Sequence, residues 1–324
     1  MKHIETIIIG AGPCGMSAAI ELKNRGFDHL IIEKGNVVEA IYNYPTHQTF
    51  FSSSEKLAIG GFPFITEAHK PKRNQALVYY REAVKHFDLN INTYEEVTSG
   101  RQSTEGFILE TSKDTYSCTY LIIATGYYGQ PNRLDVPGEH KEKVSHYFKE
   151  AHPFFKQDVL VIGGKNSSVD AAMELEKAGS NVTVVYRRNA YSKSVKPWIL
   201  PQFDSLVRHE KIDMHFGTDV KDIKDESVVL EKDGEVFEIP NDHVFAMVGY
   251  HPDYRFLQSF GIKINENEFG TAPLHSPETM ETNVKNLYIA GVIAAGNDAN
   301  TIFIENGRFH GGLIAEDILK KHQK

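Results

Sequence analysis

The chain has 324 residues, 41% of them hydrophobic, and carries 35 Lys and Arg against 43 Asp and Glu for a formal charge of −8. That length suits two domains rather than one, and the acidic balance argues against a nucleic-acid partner. The two cysteines, Cys14 and Cys118, exclude a disulfide framework, a C-x-x-C pair and a cysteine-bound metal.

Ile7 to Ile9 reads as a buried parallel strand, Met16 to Arg25 as a helix and Leu30 to Ile32 as a second strand. Between the first strand and the helix, Gly10, Gly12 and Gly15 have G-x-G-x-x-G spacing, with Pro13 and Cys14 inside it. The first glycine permits the turn, the second lets backbone approach a pyrophosphate, and the third lets helix and strand pack closely. Glu33 ends the second strand, where an acid accepts from a ribose hydroxyl, and Lys34 follows it. Strand, turn, helix, strand and acid in register point to a dinucleotide site.

Tyr42 to Phe64 has no clear period and is rich in aromatics, Gly, Pro and Ser. Such a loop is either functional or a surface loop pinned by its own rings. In the first case Tyr42, Tyr44, Phe50 and Phe51 wall a flat ring system, and His47, Gln48 and Ser52 bond to it. Asn74 to Phe87 has helical spacing, and Leu89 to Val97, Phe107 to Thr111 and Tyr116 to Ala124 read as strands. The last runs into Thr125-Gly126, which with the Gly129-Gln130-Pro131 turn looks like a domain crossing.

A second strand–turn–helix begins at Asp158 to Ile162, turns at Gly163-Gly164-Lys165-Asn166-Ser167-Ser168, and continues as a helix to Ala178. Lys165 and Ser168 replace two fingerprint glycines. Ser168 is small enough for close packing, and Asn166 and Ser167 are placed to cap the helix or bond a phosphate. The strand Asn181 to Val185 leads to Arg187 and Arg188. Guanidinium groups where an NAD site wants an acid suit a 2′-phosphate, so the second site reads as NADPH. Ile212 to Phe216, Val220 to Ile223, Ser227 to Glu231 and Val236 to Ile239 suggest a small antiparallel layer. Val244 to Val248 then runs to a second crossing at Gly249. Asn286 to Ala290 is a strand ending at Gly291, and a long last helix is expected from Thr301 or Ile302 to near His322. No run approaches the ~20 apolar residues that span a bilayer, and the N-terminus has no signal pattern. A soluble cytoplasmic protein with no membrane partner is expected.

The paired units, the two glycine crossings and the C-terminal strand and helix resemble the low-molecular-weight thioredoxin reductases over essentially the whole chain. The expected fold class is α/β with two Rossmann-like dinucleotide-binding domains. The resemblance implies FAD at the first turn and NADPH at the second, with 1–125 plus 250–324 forming the FAD domain and 126–249 the NADPH domain. It also implies that Gly291, and Thr301 and Ile302 at a helix start, face the flavin. Two features depart from that family. The second domain has no cysteine pair, and Val292 stands where an Asp usually holds the ribityl chain, leaving Asn297 and Asp298 as candidates.

A closer resemblance rests on GPCG, YNYPTHQTFFSSS, ATGYYGQ, GGKNSS with YRR, KPWILP and GNDANTIFIENG. Together these are similar to the bacillithiol disulfide reductases. The resemblance implies an NADPH-dependent enzyme that reduces bacillithiol disulfide through reduced flavin and the single cysteine Cys14, and a homo-oligomer is expected. From the residues alone, Cys14 reads first as a small filler at a helix start, with catalysis as the alternative. Other readings are a ferredoxin- or flavodoxin-type NADPH reductase, a flavin monooxygenase, and a non-catalytic redox sensor.

Overall fold

The chain opens with the short strand Lys2–His3 (β1) and the strand Thr6–Ile9 (β2). In this computed structural model the described residues are 1–267, 270–298 and 301–323. Ile7 and Ile8 are fully buried, as a parallel strand covered on both faces requires. The helix Pro13–Asn24 (α1) follows at once, with proline at its first position, where no N–H is needed. The strand His29–Ile32 (β3) then pairs parallel to β2.

Two single-turn helices, Glu39–Tyr42 (α2) and Ser54–Leu57 (α3), interrupt the aromatic loop, and the helix Arg73–Phe87 (α4) follows. Next come Ile91–Asn92 (β4), Val97–Ser103 (β5), Gly106–Thr111 (β6), Thr115–Cys118 (β7) and Tyr120–Ile123 (β8).

The chain divides into two compact units, Met1–Gln130 with Tyr250–Lys324, and Pro131–Gly249. The sequence places the first crossing over Gly126 and the Gly129-Gln130-Pro131 turn, with the domain bound after residue 125; the division falls after Gln130, inside that turn. Tyr128 packs edge-on to Tyr44 at 5.2 Å, and Gln130 donates to Asp253 at 3.0 Å, both within the first unit.

The second unit contains Val144–Ser145 (β9), Asp158–Ile162 (β10), the helix Asn166–Lys177 (α5) and Asn181–Tyr186 (β11). The helix Leu200–Arg208 (α6) leads to Ile212–Phe216 (β12), Thr218–Ile223 (β13), Ser227–Lys232 (β14), Glu235–Pro240 (β15) and His243–Ala246 (β16). Its parallel sheet has the order β12-β11-β10-β16-β9, and β13-β14-β15 forms a separate antiparallel sheet. Ile212 to Phe216 therefore belongs to the parallel sheet, not to the antiparallel layer the sequence suggested.

Back in the first unit are Tyr254–Ser259 (α7), Ile264–Asn267 (β17), Gly270–Pro273 (β18), Leu287–Ile289 (β19), Ile304–Gly307 (α8) and His310–His322 (α9). The central parallel sheet is β19-β8-β2-β3-β4, and a second sheet is β1-β7-β6-β5.

Three expected elements divide. Leu89 to Val97 breaks at Tyr94, which has φ +54, so β4 and β5 join different sheets. Tyr116 to Ala124 breaks at Thr119, again between sheets. The long last helix is two helices, interrupted at Arg308 and Phe309. No helix among the described residues is long and apolar enough to cross a membrane.

Candidate active site

The first glycine turn is shaped by backbone crowding. Gly10 has φ +109, and a Cβ there would lie 2.6 Å from Ala124 O. A Cβ on Gly15 would lie 2.1 Å from Gly10 O, so α1 can approach β2 only without a side chain at that position. Around Gly12, by contrast, a Cβ would meet no atom within 4 Å. That open face lies at the N-terminus of α1, whose first amides lack intrahelical acceptors. Glu33 is buried beside it, accepting from Ala11 N and Gly35 N at 2.8 Å each. Burial pushes its carboxyl above the usual range, against the pull of those two bonds. A carboxylate has about four acceptor positions, so two N–H bonds leave capacity for a ribose. Lys34 is exposed, and its Nζ lies 3.6 Å from where a Cβ on Gly129 would stand.

The aromatic loop is tied down by Arg73. Its Nε donates to Tyr42 O at 3.1 Å, and its guanidinium lies over the Tyr42 ring at 5.2 Å. Gln48 accepts from Arg73 N through its backbone carbonyl at 2.8 Å, while its side-chain amide donates to Thr49 O. His47 is exposed, as is Thr125 at the end of β8 beside Gly126 with φ +67. Tyr44 sits within an aromatic group with Phe50 and Tyr128. Burial, then Tyr127, Tyr128 and Cys14, raise its phenol pKa, so it stays neutral.

Cys14 is the second residue of α1 and is partly buried. Burial pushes its thiol up to about 12. Its Sγ lies against the backbone of Gly291 and Gly307, where added Cβ atoms would stand 3.1 and 3.0 Å from it. Cys118 is buried in the core, and its thiol is also pushed up to about 12, by burial and against a hydrogen bond with the Ile7 backbone.

Thr301 and Ile302 do not begin a helix. Asn306 accepts from Phe303 N at 2.7 Å and donates to Thr301 O at 2.7 Å, which delays the helical turn to Ile304. Thr301 Oγ1 donates to Asp298 O, and Ile302 packs on the core near Gly307. Asn297 Oδ1 accepts from Tyr254 at 2.6 Å. Among the site residues, the sequence did not single out His310. Its Nδ1 accepts from Gly291 N at 3.2 Å. The only hint in the sequence was a histidine between two glycine-bearing stretches.

The second turn is less open. Gly163 has φ +141. Gly164 is buried beneath the Tyr186 ring, which a Cβ would meet at 2.4 Å. Ser168 is fully buried and donates to Lys165 O at 2.8 Å, so it packs the helix and does not face a ligand. The Asn166 side chain donates to Ser194 O and accepts from Lys196 N, both at 2.9 Å, so it anchors the following loop instead of a phosphate. Ser167, Arg187 and Arg188 are exposed. Neither guanidinium forms an ion pair among the described residues.

The family model for pyridine nucleotide-disulphide oxidoreductases matches residues 7–291. The chain belongs to that family. It is an oxidoreductase with a thioredoxin-reductase-like fold. It is 60% identical over 323 residues to the bacilliredoxin reductase Bdr of Bacillus subtilis, covering 99% of each chain. Its structure is similar to the bacillithiol disulfide reductase Bdr of Staphylococcus aureus, with TM-score 0.97, 65% identity and 99% of each chain covered. The thioredoxin reductase of T. acidophilum shares the fold at TM-score 0.78 and 23% identity, over 100% of each chain.

Proposed function

We propose that this protein uses NADPH to reduce bacillithiol disulfide, with FAD as the carrier and Cys14 as the thiol that engages the substrate. The observation that carries the reading is the placement of Cys14 at the second position of α1, directly after the turn proposed for FAD, with its Sγ against Gly291 and Gly307. The similarity to the S. aureus bacillithiol disulfide reductase supports the substrate.

FAD fits the first turn. Gly12 and the first amides of α1 suit its pyrophosphate, and Glu33 its ribose. Gly10, Pro13, Gly15, Lys34, His47, Gln48, Thr125, Gly126 and Gly291 complete the proposed surroundings. Gly163, Ser167, Arg187 and Arg188 are proposed for NADPH, the two arginines for its 2′-phosphate. The FAD domain is read as 1–130 with 250–324, and the NADPH domain as 131–249. When bound, these cofactors supply the two electrons that convert one disulfide into two thiols.

The protein's part is thiol exchange. Cys14 attacks one sulfur of the substrate, forming a Cys14 mixed disulfide and breaking the substrate S–S bond, and its proton ends on the departing sulfur, which leaves as one bacillithiol. Two electrons then reopen the S–S bond, returning Cys14 as thiol and freeing the second bacillithiol. One hydride from NADPH and one proton balance the whole reaction. We assign the protein to the cytoplasm, where disulfides are kept reduced, and read it as a homo-oligomer. Light scattering against the 36.5 kDa of one chain checks the latter.

The test is NADPH consumption by FAD-loaded protein without oxygen. Turnover should be fast with bacillithiol disulfide and at least about tenfold slower with cystine. Equal rates on both would remove the assigned specificity. A second acceptor, a bacilliredoxin disulfide, is suggested by the name of the B. subtilis relative. Turnover only when that protein is added would favour it.

A further inference from the structure

The Cys14 sulfur is closed in by backbone. Gly291 and Gly307 stand so close that a Cβ on Gly307 would lie 3.0 Å from Sγ and 3.2 Å from Gly291 Cα. Gly291 has φ +81, a conformation disfavoured for other residues. Its N–H is held by His310, whose Nδ1 accepts it at 3.2 Å.

His310 is itself fixed relative to α1. The next residue, Gly311, packs on α1 backbone, where a Cβ would lie 2.6 Å from Ala18 Cα. Two residues before it, Arg308 O accepts from Ser17 Oγ at 2.5 Å. Burial, with the charge of His275 adding to it, pushes the His310 imidazolium down to about 4. The ring is therefore neutral at physiological pH, with Nδ1 as acceptor and the proton on Nε2.

The geometry points to His310 as a positioning residue: it holds the Gly291 backbone against Cys14 and so sets how the sulfur is presented to a disulfide. This rests on the reading of Cys14 as the reactive thiol. Leucine at 310 would leave the Gly291 N–H without its acceptor. Asparagine would offer an amide oxygen near the place of Nδ1.

The experiment uses full-length, FAD-loaded His310→Leu and His310→Asn proteins. Iodoacetamide is added from neutral to alkaline pH, and peptide mass spectrometry follows Cys14 and Cys118 separately. In His310→Leu, Cys14 alkylation should rise about tenfold and turnover of bacillithiol disulfide fall about tenfold, with Cys118 unchanged. In His310→Asn both should stay within about threefold of the native protein. Unchanged Cys14 reactivity in His310→Leu, equal acceleration of both cysteines, or no rescue by asparagine would overturn the proposal. If His310→Leu does not fold, His310→Ala carries the same comparison. Undiminished turnover in Cys14→Ala would instead remove the reactive-thiol reading, while the alkylation ratio still reports on positioning.

Discussion

At Cys14 two influences oppose. The N-terminus of α1 favours a thiolate, and burial disfavours it. Burial pushes the thiol up to about 12, so attack on a disulfide requires its deprotonation. Arg187 and Arg188 are the opposite case, exposed charges without ion pairs among the described residues. Replacing both with Gln should raise KM for NADPH about tenfold to a hundredfold and leave that for NADH within about threefold, by steady-state kinetics. An equal loss for both cofactors would contradict a 2′-phosphate contact. The fingerprint spacing made the place of Cys14 legible. The slot around it was not, because Gly291, Gly307 and His310 reach it only through tertiary packing. Asn166 misled for a local reason, since its side chain bonds the backbone of the following loop instead of facing outward, whereas Ser168 packs the helix closely as its size suggests.

The helix α1 carries the first turn on two glycines that do different things. Gly15→Ala would drive a methyl into Gly10 O and should cost about 1–3 kcal/mol in urea unfolding. Gly12→Ala meets open space and has φ −75, so stability should change by less than about 0.5 kcal/mol. FAD affinity should nevertheless fall about tenfold, since the methyl occupies the proposed pyrophosphate approach. Equal affinity in Gly12→Ala would move the cofactor elsewhere. The buried parallel strands β2, β3 and β10 were legible because apolar runs next to glycine turns have few other folds available. Breaks inside apolar runs were not. Thr119 and Tyr94 carry no turn signature, yet each hands the chain from one sheet to another. The end of the last helix was legible; its start was hidden by the Asn306 side chain, which holds Thr301 to Phe303 in a turn.

In the first unit, α9 is tied to the parallel sheet by a polar cluster. Lys321 Nζ donates to Glu281 at 2.6 Å, Asp317 at 2.8 Å and Tyr288 Oη at 2.7 Å. Tyr288 in turn donates to Asp317 at 2.7 Å. Burial alone would push the Asp317 carboxyl up, but the bonds from Lys321 and Tyr288 and the ammonium charge hold it below the usual carboxylate range. A depressed carboxyl contributes stability above its unfolded pKa, near ~3.9, and loses it as pH falls through the folded value. Lys321→Met should therefore cost about 1–3 kcal/mol at neutral pH and flatten the acid limb of stability against pH. An unchanged acid limb would show that the cluster does not govern it. The return of the chain's end to the first unit was legible from the C-terminal strand and helix; this cluster was not, since its members lie on separate elements. The central claim concerns Cys14, and anaerobic turnover of bacillithiol disulfide by native and Cys14→Ala protein tests it most directly, with reduction of bound flavin by NADPH recorded in both. The account predicts equal flavin reduction and turnover that is lost at least about a hundredfold in the variant. Equal turnover in the two proteins would contradict it.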